Sequence, residues 1–268
     1  MSKLPNFAGN LKCWRLLNRL VFGDRVSCPG CQADMAENYR RGYLWCRPCR
    51  RKYRPTAYRG SWLYGMKLKP KQLFLLLYCW QHRKPPDTAR LVAGVSYTTV
   101  ERWYARFRFQ IPDAGVVLGG LVQIDESYFG KQRSKQCQRI VVGAIEPDTR
   151  KLALRITDSR SQEALERFVQ DYVRQGSLVV SDKWYAYQDL PLLGYPHESH
   201  NHSVGDYANT NQGENIWSVS KRHARRLFGG RILTRYLEDL CREWTARHNQ
   251  PQLFENPINF LRATLVPC

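Results

Sequence analysis

The fold of the chain is decided around Leu121-Val122-Gln123-Ile124-Asp125, a short apolar run that ends in an acid. Short apolar runs bounded by turn residues indicate buried β-strands. The same pattern predicts two further strands over residues 139–145 and 151–157, a helix over residues 161–174, and a fourth strand over residues 177–181. The order strand, strand, strand, helix, strand indicates a mixed α/β fold of the ribonuclease H type.

Two strands that lie side by side in this plan end in acids, Asp125 and Asp182. A carboxylate at the end of an apolar strand is destabilising unless a cation pairs with it. Glu214, at the start of a predicted helix, is a third acid. Three carboxylates around one point can bind two Mg²⁺ or Mn²⁺ ions, which align an in-line phosphoryl displacement. Any one of these acids alone would be interpreted as a solvated or ion-paired residue. Glu126 is placed outside this site because side chains alternate along a strand.

Lys221 follows Glu214 by seven residues, two helical turns along the same face. A cation there would hold a DNA phosphate, and an ordinary surface lysine in a basic stretch is equally consistent. Arg222 belongs to the same stretch and is a further candidate for a DNA contact.

Four of the nine cysteines form two pairs, Cys28 with Cys31 and Cys46 with Cys49, separated by fourteen residues. Two such knuckles supply the four thiolates of a closed, tetrahedral, structural Zn²⁺ site. The odd number of cysteines argues against a disulfide framework. The alternative is a set of four free core cysteines. We therefore expect an N-terminal helix within residues 1–25 and a zinc ribbon over residues 26–58.

The formal net charge of +19 favours a polyanionic partner, most plausibly nucleic acid. The basic cluster around the second cysteine pair contains Arg50, Arg51 and Lys52, which are expected to contact phosphates, although a solvated face is the alternative.

Residues 66–112 are predicted to form a helix-turn-helix module, with Gly94 at the turn. Its second helix is expected to enter the major groove and to contact DNA through Thr99, Arg102 and Arg106, with Arg108 also facing outward. Ordinary helical packing is the alternative.

Three phrases resemble those of Merlin-like insertion-sequence transposases: Ile124-Asp125-Glu126-Ser127-Tyr128-Phe129-Gly130, Ser181-Asp182-Lys183-Trp184-Tyr185-Ala186-Tyr187 and Asn209-Thr210-Asn211-Gln212-Gly213-Glu214-Asn215-Ile216-Trp217. That group carries an Asp-Asp-Glu triad on a ribonuclease H fold, often behind a zinc ribbon. The resemblance implies that Asp125, Asp182 and Glu214 are metal ligands and that Lys221 is a helper cation. It also makes His202 a candidate phosphate contact, against the alternative of a surface or strand histidine.

The sequence therefore predicts a DNA transposase that cleaves insertion-sequence ends and joins the 3′-hydroxyl to target DNA. Its expected partners are double-stranded DNA and further copies of the chain, in a homodimer or higher oligomer. The catalytic domain is expected over residues 116–250, followed by a tail over residues 251–268. No run of about 18 apolar residues and no signal peptide occurs, so a cytoplasmic, nucleoid-associated protein is expected.

Two other function classes remain open. A metal-dependent nuclease or resolvase of the same fold would cut DNA without joining strands. A DNA-binding regulator with a decayed catalytic domain would be marked by a missing acid, and all three are present.

Overall fold

The computed structural model describes residues 9–22, 26–38, 41–54, 58, 60–113, 115–130, 138–182, 185–200, 211–228 and 232–265. The chain forms two compact units, one of residues 1–112 with 252–268 and the other of residues 113–251. Within the described residues, no helix combines the length and the apolar character that crossing a membrane requires.

The first unit begins with helix α1 (Asn10–Phe22), which matches the predicted amphipathic helix. A three-stranded antiparallel sheet follows, in the order β1 (Ala36–Asn38), β2 (Tyr43–Cys46) and β3 (Arg51–Tyr53). Its small core lies against α1 and is built from six buried residues: Trp14, Val26, Cys28, Met35, Leu44 and Cys46. Because two of the six are cysteines of the predicted zinc site, the core and that site are one structure.

Three helices complete the N-terminal part of this unit: α2 (Pro70–Gln81), α3 (Pro86–Ala93) and α4 (Tyr97–Phe109). Gly94 ends α3 in the left-handed conformation (φ 62°), which glycine adopts without steric cost. Ser96 then begins α4 by accepting a hydrogen bond from the Thr99 backbone amide. The predicted helix, glycine turn and second helix are therefore present.

The second unit contains a five-stranded sheet in the order β6-β5-β4-β7-β8. The strands are β4 (Leu121–Phe129), β5 (Arg139–Glu146), β6 (Lys151–Thr157), β7 (Leu178–Asp182) and β8 (His197–His200). The first three form an antiparallel meander, and β7 and β8 run parallel to β4. This is the predicted ribonuclease H-like plan, with β8 as a strand that the sequence did not predict.

Helix α5 (Gln162–Tyr172) connects β6 to β7, and Ser161 caps it by accepting a hydrogen bond from the Ala164 amide, as expected. Two further helices follow β8, namely α6 (Asn211–Phe228) and α7 (Thr234–Asn249). The sheet is covered on both faces. Residues such as Val122, Ile124 and Val142 belong to the core with α5, and the alternating residues Phe129, Val141 and Ile145 belong to the core with α6 and α7.

The C-terminal residues, predicted as a tail over 251–268, contain helix α8 (Pro257–Thr264), which belongs to the first unit. Phe260 of α8 is fully buried against Trp80 of α2 and Phe107 of α4, with ring centroids 5.1 and 6.1 Å away. The chain therefore returns to the first unit after completing the second.

Candidate active site

The sheet of the second unit places the two predicted aspartates at the same level on neighbouring strands. The parallel pairing of β4 with β7 ends at Gln123 opposite Val180, and Asp125 and Asp182 each lie two residues further along their strands. Both side chains therefore occupy the same level and the same face of the sheet. The Asp182 side chain is 37% exposed and thus accessible to a ligand.

Asp125 does not end its strand, in contrast to the sequence prediction. Strand β4 continues to Phe129 because β5 pairs with it antiparallel over its whole second half, placing Gly143 opposite Asp125. The parallel partner β7 stops at Asp182. At Asp125, β4 therefore still pairs with β5 on one side but no longer pairs with β7 on the other.

Both carboxylate oxygens of Asp125 accept hydrogen bonds. Oδ1 accepts from the backbone amide of Glu126 and Oδ2 accepts from the indole Nε1 of Trp217, each at 2.8 Å. Trp217 belongs to α6 and is 7% exposed. A side chain 92 residues further along the chain thus fixes the orientation of the first aspartate.

Helix α6 carries the other two predicted site residues. Glu214 lies in its first turn, three residues before Trp217. The side chain of Glu214 lies outside the described part of the structure. Lys221 lies one turn beyond Trp217 on the same face, with its ammonium 6.0 Å from the centre of the Phe129 ring.

Glu126 faces the opposite side of the sheet from Asp125, as strand alternation predicted. Its side chain is 2% exposed and accepts hydrogen bonds from the Tyr187 hydroxyl at 2.5 Å and from Arg160 Nη2 at 2.9 Å. Burial raises the pKa of Glu126, while the bonds from Tyr187 and Arg160 lower it. Asp125 and Asp182 also raise that pKa, so the three acids share one electrostatic environment.

Arg160 connects Glu126 to the site, because the same Nη2 lies 4.0 Å from Oδ2 of Asp182. Sequence reasoning missed both Arg160 and Tyr187. Tyr187 is the last residue of the phrase that contains Asp182, and Arg160 directly precedes the cap of α5. Neither position shows a pairing with Glu126 in the sequence, because strand and loop are far apart along the chain.

The four cysteines of the first unit converge as predicted. Their Sγ atoms all lie within 4.8 Å of one another, with 3.9 Å from Cys28 to Cys49 and 3.5 Å from Cys31 to Cys46. A tetrahedral zinc ion with bonds of about 2.3 Å needs sulfur atoms roughly 3.8 Å apart. The cluster therefore fits a zinc ion.

Hydrogen bonds within the cluster divide its four thiols. The amides of Gly30 and Cys49 each point at a sulfur, Cys28 and Cys46 respectively, at 3.4 Å. The hydroxyl of Tyr53 lies 3.2 Å from the Cys28 sulfur and is the main cause that lowers the pKa of Cys28 to about 6. The neighbouring sulfur of Cys31 is the main cause that raises the pKa of Cys49 to about 12. Cys28 is therefore the thiol of the cluster that is most readily ionised to the metal-binding thiolate.

The basic residues of the ribbon are accessible. Arg50, Arg51 and Lys52 are all exposed, and Arg50 has a positive φ of 49° at the turn that leads into β3. The Lys52 ammonium lies 5.3 Å from the centre of the Tyr43 ring, so its stem follows the sheet while its charge reaches solvent.

On α4, Arg102 is exposed and Thr99 is half-buried, with its hydroxyl 2.8 Å from that of Ser96. Arg106 is half-buried and packs on tryptophans. Its guanidinium lies 5.1 Å from the Trp103 ring and 5.8 Å from the Trp62 ring, and it donates to the Trp62 carbonyl. Burial lowers the pKa of Arg106.

The prediction that Arg108 faces outward is wrong. Arg108 is 5% exposed and lies 6.0 Å from the ring of Tyr104, which is itself buried. The buried face of α4 is wider than the stripe Val100, Trp103 and Phe107 indicated, because the long stem of an arginine packs like an apolar side chain.

Two further candidates have different outcomes. Arg222 is exposed on α6, and its Nη2 lies 3.5 Å from the hydroxyl of Ser218. His202 lies outside the described residues. Of the nearby histidines, His197 on β8 contacts the hydroxyl of Ser181 through Nε2 at 2.9 Å.

Comparison with known proteins identifies a family for the second unit. Residues 117–249 match the family of ISXO2-like transposase domains. No curated protein matches the chain in sequence.

Solved structures with a similar fold include three retroviral proteins of low identity. The magnesium complex of the HTLV-2 integrase catalytic core, in its trimeric form, is 13% identical, with a TM-score of 0.35 over 56% of this chain and 98% of that one. The catalytic core of BIV integrase is 16% identical, with a TM-score of 0.36 over 49% and 84%. The simian T-cell lymphotropic virus intasome with the PP2A regulatory subunit B56 gamma is 11% identical, with a TM-score of 0.37 over 68% and 75%.

Proposed function

We propose that the protein cleaves the ends of an insertion sequence and joins the freed 3′-hydroxyl to target DNA, in line with the match of residues 117–249 to the ISXO2-like transposase domains. One observation supports this best. Asp125 and Asp182 lie at the same level on the neighbouring strands β4 and β7, and α6, which carries Glu214, is bonded to Asp125 through Trp217.

Asp125, Asp182 and Glu214 would hold Mg²⁺ or Mn²⁺, in a two-ion site. The chemistry of the donors fits, because these hard cations prefer carboxylate oxygens, and the Asp182 side chain is open to solvent. When bound, the ions would lower the pKa of the attacking water or hydroxyl and stabilise the leaving oxygen.

The remaining side chains of the site would bind the DNA and orient the carboxylates. Lys221, on the same face of α6 as Trp217, would bind a DNA phosphate next to the carboxylates. Arg160 lies between Glu126 and Asp182 and would keep the Asp182 carboxylate at the site edge. Tyr187 and Arg160 pair with Glu126 on the other face of the sheet and oppose the burial that raises its pKa.

The first unit would recognise DNA. We assign one structural Zn²⁺ to Cys28, Cys31, Cys46 and Cys49 in a ribbon over residues 26–58, and a DNA-binding helix-turn-helix to residues 66–112. The proposed DNA contacts are Arg50, Arg51, Lys52, Thr99, Arg102, Arg106, His202 and Arg222. The net charge of +19 supports a double-stranded DNA partner.

Transposition joins two element ends to one target, so we propose a homodimer or higher oligomer that works at the nucleoid in the cytoplasm. The catalytic part corresponds to residues 116–250, in line with the family match over residues 117–249.

The proposal is tested by cleavage and strand transfer on labelled DNA that carries an element end, in Mg²⁺. Asp125→Asn, Asp182→Asn and Glu214→Gln keep the shape of each side chain and remove its charge. We expect each to reduce cleavage by more than the roughly 10–100-fold that loss of an outer-shell partner costs, while DNA binding survives. Lys221→Ala should act more mildly.

The matched control is Asp148→Asn, an exposed aspartate in the turn between β5 and β6, which should cleave like the parent. Cleavage by Asp182→Asn at the parent's rate would refute the assignment of the site. Cleavage by the parent without joined product would favour the nuclease or resolvase. DNA binding without any cleavage would favour the regulator.

A further inference from the structure

The indole of Trp217 packs over a glycine of the sheet, where no side chain occupies the space. Gly143 of β5 lies directly opposite Asp125 of β4, and a Cβ atom at Gly143 would lie 2.7 Å from two carbons of the Trp217 ring and 2.9 Å from Leu154 Cδ2. Contacts that short do not occur between real side chains. The missing side chain at Gly143 therefore makes the slot in which the indole ring lies.

The slot aims the only polar atom of the indole at the carboxylate. With the ring over Gly143, Nε1 donates to Oδ2 of Asp125 at 2.8 Å. The Phe129 ring meets the indole edge to face, with centroids 6.3 Å apart at 71°. The ring is 7% exposed and thus has little freedom to turn.

This bond is compatible with metal binding by Asp125. An ionised carboxylate has about four lone-pair sites, and the Glu126 amide and the indole each donate to one of its two oxygens. A neutral donor that fixes a carboxylate in this way orients the ligand without supplying a competing positive charge.

We infer that Trp217 is a positioning residue that fixes the Asp125 carboxylate for divalent-metal binding, with Gly143 as the slot that holds it. The inference rests on the proposed function, since it takes Asp125 as a metal ligand. Glu214 lies on the same helix, three residues before Trp217.

The test measures Mn²⁺ binding directly, by electron paramagnetic resonance of free Mn²⁺ in titrations of the full chain without DNA. Trp217→Phe keeps an aromatic ring and removes the N–H. We expect Mn²⁺ affinity to fall about 10–100-fold, the usual cost of losing an outer-shell partner of a metal ligand. A residue with a purely structural role would lower the melting temperature and leave the Mn²⁺ affinity unchanged.

Trp244→Phe is the matched control. Trp244 lies in the same core, is 3% exposed, contacts the same Phe129 ring at 5.7 Å, and donates its indole N–H to His223 Nδ1 at 3.0 Å. It therefore loses a ring and a buried hydrogen bond of the same kind, away from Asp125. Its Mn²⁺ affinity should stay within about threefold of the parent.

A second variant covers the case in which Trp217→Phe does not fold. The tryptophan analogue benzothienylalanine at position 217 keeps the two-ring shape that fits over Gly143 and lacks only the N–H. We expect the same loss of Mn²⁺ affinity with an unchanged melting temperature. Parent-like Mn²⁺ affinity in this variant would overturn the inference.

The variant Asp125→Asn distinguishes failure of the positioning role of Trp217 from failure of the proposed catalytic site. If Asp125→Asn loses Mn²⁺ binding while the variants at position 217 do not, the metal site stands and the positioning role is refuted. If Asp125→Asn binds Mn²⁺ like the parent, the proposed catalytic site itself is refuted.

Discussion

Removal of the metal from the four-cysteine cluster should unfold the ribbon of the first unit. Apart from cysteines, four buried side chains form its core, Trp14, Val26, Met35 and Leu44. Their burial is worth about 1.5–3 kcal/mol each, or roughly 6–12 kcal/mol together. A structural zinc ion is worth about 10–16 kcal/mol at neutral pH. The free energy of metal binding is therefore of the same order as that of the whole apolar core.

The strands give no independent stability, since β1, β2 and β3 have only 3, 4 and 3 residues. We expect one zinc per chain, measured with a chromogenic chelator, and none in Cys46→Ser. Without zinc, trypsin should cut quickly after Arg50, in the turn before β3, and after Arg51, the first residue of β3, because the folded ribbon no longer protects them. Circular dichroism should change in parallel.

Cys13→Ser is the control, because Cys13 is a buried cysteine of α1 that lies outside the cluster. It should keep its zinc and its resistance to trypsin. A zinc-free protein with the tryptic pattern and circular dichroism of the parent would refute the reasoning, since the apolar core alone would then hold the ribbon.

Two further predictions concern DNA binding and pH. If Arg102 contacts a base, Arg102→Ala should weaken DNA binding by about 1–3 kcal/mol and relax the sequence preference. If Arg102 contacts a phosphate, the slope of log affinity against log salt concentration should fall in magnitude by about one. Unchanged DNA-binding isotherms for both Arg102→Ala and Arg106→Ala would exclude α4 as the recognition helix. Arg106→Ala should also lower stability in urea by about 1–2 kcal/mol, because it loses two ring contacts. Burial lowers the pKa of His197 below 6.5. The contribution of neutral His197 to folding stability is therefore complete above pH 6.5 and is lost as the pH falls through the lowered pKa. The urea midpoint should therefore drop less between about pH 8 and about pH 5 in His197→Gln than in the parent, and an equal drop in both would contradict this.

Local pattern was sufficient for most of the fold. Residues 151–157 form β6 with the bounds that the apolar run predicted, and Ser161 caps α5 as its position before the helical stripe indicated. Strand alternation also placed Glu126 correctly on the face opposite Asp125. These features depend on residues within one element, where side-chain period and capping chemistry decide the outcome.

Contacts between distant elements could not be predicted in the same way. The bond from Trp217 to Asp125 joins residues 92 positions apart, and the pairing of Arg160 with Glu126 joins residues 34 positions apart. One signal was nevertheless present. Gly143 interrupts an otherwise apolar strand, and a glycine inside a strand often marks a close approach by another group.

The order of residues on α6 explains why the site and the core are formed together. Glu214, Trp217 and Lys221 lie at positions i, i+3 and i+7 of one helix, so a single helix carries a candidate ligand, the donor to Asp125 and a cation. Trp217 is also part of the core that α6 and α7 build against the sheet. A helix that failed to dock would lose this core packing and would leave Asp125 without its indole donor. The packing that stabilises the second unit therefore also sets the orientation of the Asp125 carboxylate.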